Sequence, residues 1–132
     1  MGVEIVKGEL DHEECLKQAL QGAHTMFAMT RTIYDDQAKS REVRHGKAIA
    51  DTTVATGVQY LIYSSESHAG NISGGTYPID AYDAKADVEQ YIRSLPIRSA
   101  FFALGTFMQN IGGMMATACR GRHLRDRQYP HP

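Results

Sequence analysis

Apolar positions recur along the chain in two rhythms. Short runs rich in β-branched residues alternate with longer stretches in which apolar residues return every three or four positions. Val3, Ile5 and Val6, closed by Gly8, predict a strand almost at the first residue. Asp11, with Glu14 three residues on, has the spacing of a capping box; Leu16, Ala19 and Leu20 then mark a helix that Gly22 ends. Residues 25–30 predict a second, buried strand. A longer polar helix is expected from Asp35 and Asp36 to Thr56, with Val43, Ala48, Ile49, Thr52 and Thr53 inward and Gly57 at its end. Residues 58–63 give the clearest strand, running into Ser64 and Ser65.

Residues 66–79 carry Gly70, Asn71, Gly74, Gly75 and Pro78, the chemistry of a loop, and a loop that long inside a compact domain is usually functional. Asp80 is expected to cap a helix to about Leu95, with Ala84, Val88, Tyr91 and Ile92 on one face and Pro96 as its breaker. A fourth strand follows at residues 98–104, then a Met-rich apolar helix at 107–119. The order β-α-β-α-β-loop-α-β-α implies a parallel sheet with crossover helices. Near-continuous apolar strands suit such a sheet, because both of its faces are covered. Ligands of open α/β sheets bind beyond the carboxyl ends of the strands, which singles out Glu9, Thr30, Ser64, Ser65 and the surroundings of Gly105.

Composition narrows the class. A chain of 132 residues, 42% hydrophobic and 22% charged, is one globular domain. Residues 1–119 are expected to form it, and 120–132 an unpacked tail. A net charge of −1 gives no reason to expect nucleic acid as a partner. Arg120, Arg122, Arg125 and Arg127 make the tail locally basic, a pattern usually met as solvated charge. No apolar run has the length of a membrane span, and the start lacks a basic region leading into an apolar one. Cys15 and Cys119 show no disulfide or metal pattern, and the six histidines contain no i,i+4 pair, so no metal site is expected. The expectation is a cytoplasmic protein, with the nucleus as the alternative.

Three colinear segments resemble the NmrA-like family, atypical short-chain dehydrogenase/reductases with a Rossmann domain. The first is Gly2 to Asp11 with Leu16 to Ala23, similar to the family's third strand and following helix. The second, Gly57-Val58-Gln59-Tyr60-Leu61-Ile62-Tyr63-Ser64-Ser65, resembles its fifth strand. The third joins Asp83-Ala84-Lys85-Ala86-Asp87-Val88-Glu89-Gln90-Tyr91-Ile92-Arg93 to Gly105-Thr106-Phe107-Met108-Gln109-Asn110, similar to the lysine-bearing helix and the Phe-Met-x-Asn turn. The glycine-rich turn with which the family holds the cofactor pyrophosphate at a helix N-terminus does not occur in these residues. The resemblance therefore implies a partial Rossmann-like parallel sheet without the family's first two strands. Residues 25–30 then become an exposed edge, open to self-association.

The resemblance also implies a site. Lys85 matches the lysine that hydrogen-bonds the nicotinamide ribose and assists proton transfer; spacing alone would make it a solvated lysine on an amphipathic helix. The group's catalytic tyrosine belongs four residues earlier, where Ala81 stands, and Tyr82 lies three before. Ser64 and Ser65 match a substrate-orienting serine, or simply satisfy backbone groups at a strand end. Thr30 corresponds to a residue beside the nicotinamide ribose, and Glu9-Leu10 to a pair near the adenine. Met108, Met114 and Met115, with Phe107 and Ile111, read as a core stripe or a partner-binding face. Two functions follow. One is an NADP- or NAD-dependent oxidoreductase acting on a small organic substrate in fungal or other microbial secondary metabolism, weak or inactive as this short chain. The other is a non-enzymatic redox-sensing regulator that binds proteins.

Overall fold

The computed structural model describes residues 2–6 and 8–105. Three parallel strands, β1 (Thr25–Ala28), β2 (Tyr60–Ser65) and β3 (Arg98–Ala103), form one sheet in the order β1-β2-β3. The helices are α1 (Glu13–Leu20), α2 (Ala38–Ala55), the short α3 (Ala69–Ile72) and α4 (Asp80–Arg93). Thr25 pairs with Tyr60 and Tyr60 with Arg98, so each strand lies beside its predecessor in the chain. The helix predicted at 107–119 and the tail lie outside the described residues.

Both crossovers, β1-α2-β2 and β2-α4-β3, advance in the same direction across the sheet. Since such connections are right-handed, their helices come to one face. There α2 and α4 pack on each other, and α1 packs on α2. The core lies between helices and sheet: Ala28, Leu61 and Tyr63 from the strands, Ile49 and Ala50 from α2, Val88 and Ile92 from α4. Alternation along β2 sends Leu61, Tyr63 and Ser65 to this side and Tyr60, Ile62 and Ser64 to the other. On that second face Phe27 is 59% and Phe102 52% exposed, and no described helix covers them.

Several local expectations need correction. Residues 3–6 form no strand; Val3 and Ile5 are 92% and 91% exposed. A β-branched run becomes a strand only where another strand takes its N–H and C=O groups, and no described strand lies beside it. The capping box at Asp11 does not form: His12 is the N-cap of α1 and makes no side-chain cap bond, because Asp11 turns instead to Arg44 and His45 on α2, at 2.9 and 3.1 Å. Asp80 is the first residue of α4, not its cap, which is Ile79.

The 66–79 segment is not structureless. It holds α3, and Gly74 and Gly75 take the positive φ of its exit turn. The fourth strand of the reading is β3, ending at Ala103. Gly22 and Gly57, at φ 75° and 76°, close α1 and α2 as their positions suggested.

Within α2 the threonines earn their burial by bonding back along the helix. Thr52 donates to the Ala48 carbonyl at 2.8 Å and Thr53 to that of Ile49 at 2.6 Å. The expected inner face is right at Ile49, Thr52 and Thr53, with Val43 and Ala48 half-buried; it omits Glu42 and Gly46, both buried.

Candidate functional site

At the carboxyl end of β1 the chain turns through Thr30, Arg31 and Thr32 before entering α2. Thr30 is buried, and its hydroxyl and carbonyl face the Lys85 ammonium on α4. Lys85 Nζ donates to the Thr30 carbonyl at 2.8 Å, to Thr30 Oγ1 at 3.1 Å and to Glu42 Oε1 at 2.5 Å. An ammonium carries three N–H donors and no acceptor, and these contacts engage all three. Thr30 Oγ1 donates to Glu42 Oε1 at 2.7 Å, so the Tyr63 hydroxyl, 2.9 Å away, donates to Thr30. Thr32 Oγ1 donates to the second Glu42 oxygen, Oε2, at 2.6 Å.

The Glu42 side chain is 1% exposed and that of Lys85 15%. Burial alone would push the Glu42 carboxyl up, but the hydrogen bonds from Lys85, Thr32 and Thr30 outweigh it and hold the carboxyl below its ordinary value. Burial pushes the Tyr63 phenol up to about 12, so it stays protonated and serves as a donor. The result is a closed buried ion pair at the strand ends, with every member satisfied.

Next to it, Thr32, Tyr34, Ala38, Ile79 and Ala81 line an open cavity of about 340 Å³. A larger hollow of about 420 Å³ lies between the Leu10–Glu13 stretch and α2, walled by Arg44, His45 and Asp51. It holds the exposed Asp11 ion pairs and none of the Lys85 partners, whereas Thr32 joins the smaller cavity to the Lys85 network.

The structure thus brings Lys85 and Thr30 together. Ser65 is buried on the helix side, where its hydroxyl reaches only the Glu66 carbonyl at 3.5 Å, while Ser64 stands on the opposite face of β2. Adjacent strand residues point apart, so the two serines cannot serve one site. No hydrogen bond among the described residues joins Tyr82 to Lys85. Glu9 is exposed beside His12 at 3.2 Å, and Leu10 packs on the edge of the core; neither touches the Lys85 network. Sequence reasoning missed Glu42. Its signal was positional: Glu42, Gly46, Ile49 and Thr53 follow one helical row, three of them small or apolar, which marks that carboxylate as inward.

A dinucleotide needs a ribose site and a phosphate site. Lys85 and Thr30, which the resemblance assigns to the ribose side, lie together beyond β1. The two long helices that start at the strand ends offer no cradle for phosphate. Asp35 accepts the Gln37 N–H at 2.9 Å in front of α2, and Asp80 and Asp83 put two carboxylates in the first turn of α4. Carboxylates thus stand beside both helix starts, where their charge repels an anion. Among the described residues the cluster offers hydroxyl, carbonyl and ammonium groups, and no cradle for a pyrophosphate. No group of His, Cys, Asp and Glu able to hold a metal occurs among the described residues, and no helix among them is long and apolar enough to cross a membrane.

Parallel strands in chain order, crossover helices on one face and a polar cluster at the strand ends define a Rossmann-like fold, with the partial sheet the sequence implied. The chain belongs to the NmrA-like family, whose model matches residues 1–129. It is 28% identical over 118 residues to the NmrA-like family domain-containing oxidoreductase lnaB of Aspergillus flavus, covering 86% of this chain and 35% of that one. Among solved structures, NmrA, a negative transcriptional regulator, superposes with a TM-score of 0.65 at 28% identity, over 78% of this chain and 31% of that one. Triphenylmethane reductase of Citrobacter sp., complexed with NADP(H), gives 0.67 at 16% identity, over 86% and 38%. The chain spans about a third of the length of each.

Proposed function

We propose that these residues frame the nicotinamide-and-substrate end of an NmrA-like, NAD(P)-dependent oxidoreductase acting on a small organic molecule in fungal or other microbial secondary metabolism. The observation that carries this reading is the Lys85 ammonium held against Thr30 beyond β1, beside the cavity at Thr32 and Ala81. The chain's own residues fix the cation, shape the cavity and exclude water from the ion pair. A bound nicotinamide would supply the hydride chemistry. With carboxylates at both helix N-termini and alanine at position 81, the 132-residue chain is expected to turn over little or nothing.

The test is amide chemical-shift mapping with NADPH at about 1 mM, a concentration that reveals binding worth only about 4 kcal/mol. Shifts centred on Thr30, Thr32, Tyr82 and Lys85 are expected; shifts confined to the Arg44–His45 hollow, or none, would overturn the reading. A second reading, a non-enzymatic regulatory module, is favoured by the closed state of Lys85, all of whose donors are engaged within the protein. Mapping that shows no nucleotide contact, in a chain that unfolds cooperatively, would select it.

A further inference from the structure

We infer that Glu42 is the positioning residue of this site: one carboxylate oxygen fixes the Lys85 ammonium against Thr30, and the other fixes Thr32 in the wall of the cavity. The inference rests on the reading of the strand ends as a ligand site. Three observations carry it. Glu42 is the single carboxylate in hydrogen-bond contact with Lys85 among the described residues, and it is the more buried of the two. Its oxygens divide their work, Oε1 receiving Lys85 and Thr30 and Oε2 receiving Thr32. And Thr32 belongs both to this network and to the cavity lining, so the carboxylate is linked to the cavity surface by one hydrogen bond.

A flexible four-carbon stem would otherwise leave the ammonium free to sample several rotamers. The charge-assisted bond from Glu42 selects one of them. Glu42 touches no ligand itself; it acts through Lys85 and Thr32.

The experiment compares the 132-residue chain with Glu42→Gln and Glu42→Asp. Lysine-ammonium NMR reports the first half: a buried, bonded Lys85 exchanges its protons slowly and gives a resolved signal at neutral pH. That signal is expected in the unaltered chain and lost in both variants, since the amide lacks the charge and aspartate falls a methylene short. NADPH titration reports the second half, with affinity expected to fall about tenfold, the equivalent of one charge-assisted bond. A Lys85 signal that survives in both variants overturns the inference. So does unchanged NADPH affinity once the signal is lost, because Glu42 would then be structural only. Should the unaltered chain take no NADPH, the nucleotide reading falls separately, and the ammonium signal still decides whether Glu42 holds Lys85. If Glu42→Gln does not fold, Glu42→Asp, which keeps the charge, carries the same comparison.

Discussion

Gly46 on α2 lies directly against Val88 on α4, so closely that a Cβ at position 46 would stand 2.6 Å from Val88 Cγ1. Both residues are buried, and their contact sets how near the two helices approach over the sheet. That approach also sets the reach from Glu42, one turn earlier on α2, to Lys85, one turn earlier on α4. Gly46→Ala is therefore expected to destabilise the chain by about 1–3 kcal/mol, as overpacking does, despite alanine's better helix propensity. Urea unfolding should show it, and Val88→Ala in the same chain should return part of the loss.

Removing one half of the buried ion pair should cost far more than removing both. Lys85→Met leaves the Glu42 carboxylate buried without its cation, a loss of about 3–5 kcal/mol. The double variant Lys85→Met, Glu42→Gln leaves no uncompensated charge and should unfold at a distinctly higher denaturant concentration than the single one. Equal midpoints for the two would mean that Glu42 is solvated when Lys85 is gone.

Acid should undo the fold in a definite window. The carboxyls of Glu42 and Asp83 are both held below their ordinary values in the folded chain, against burial that raises them: Glu42 by Lys85 and the threonines, Asp83 by the Gly70 N–H and the charge of His68. A depressed folded value means that the contribution is present above the unfolded value, about 4, and lost as pH falls through the folded one. A thermal midpoint flat from neutrality to about pH 5 and falling steeply below about 4 is expected. Glu42→Gln should remove part of that slope.

Alkali acts with the opposite sign. The Tyr63 phenol stands near 12 in the folded chain against an ordinary 10, so its contribution is complete below 10 and lost between 10 and 12. Tyr63→Phe keeps the ring in the core but leaves Thr30 without that donor. Its midpoint should be lower at neutral pH and should approach that of the unaltered chain as pH rises through this window.

The loop between β2 and α4 is tied to α4 chiefly through Asp83, which meets both His68 and Gly70. Asp83, buried in the first turn of α4, accepts the Gly70 N–H at 3.1 Å, and a Cβ on Gly70 would stand 2.9 Å from its other oxygen. Asp83→Ala or Gly70→Ala is expected to free residues 66–79. Limited proteolysis should then cut within that segment faster than in the unaltered chain, while leaving the Lys85 ammonium signal in place.

Much of the architecture was legible in the order of the chain. Leu61 and Ile62 with their tyrosines, the Ile49–Thr53 face and the break at Pro96 place the crossovers, because burial on a sheet or helix face leaves a periodic trace. What failed, failed for physical reasons. Val3, Ile5 and Val6 have strand chemistry, but a strand needs a paired neighbour and none of the described strands lies beside them. Asp11 has cap chemistry, yet Arg44 and His45, more than thirty residues away, offered it charge instead. Lys85 could be singled out by resemblance, which puts it and Thr30 near the same ribose; the strand-end rule drew attention to Thr30 alone of the two. Glu42 was hidden by its type: a charged residue in a polar helix is assigned to solvent unless the lysine that neutralises it is already placed.

The identity of chain order and sheet order has a consequence for how the protein is made. Of the three described strands β1 leaves the ribosome before the others, β2 adds at its side and β3 at the side of β2, so none of the three must be inserted between two that are already paired. Each addition closes a single crossover and buries one new helix against the last. Assembly can therefore keep pace with synthesis, and Lys85, the last member of its network to be translated, is the residue whose arrival locks Glu42, Thr30 and Tyr63 into place.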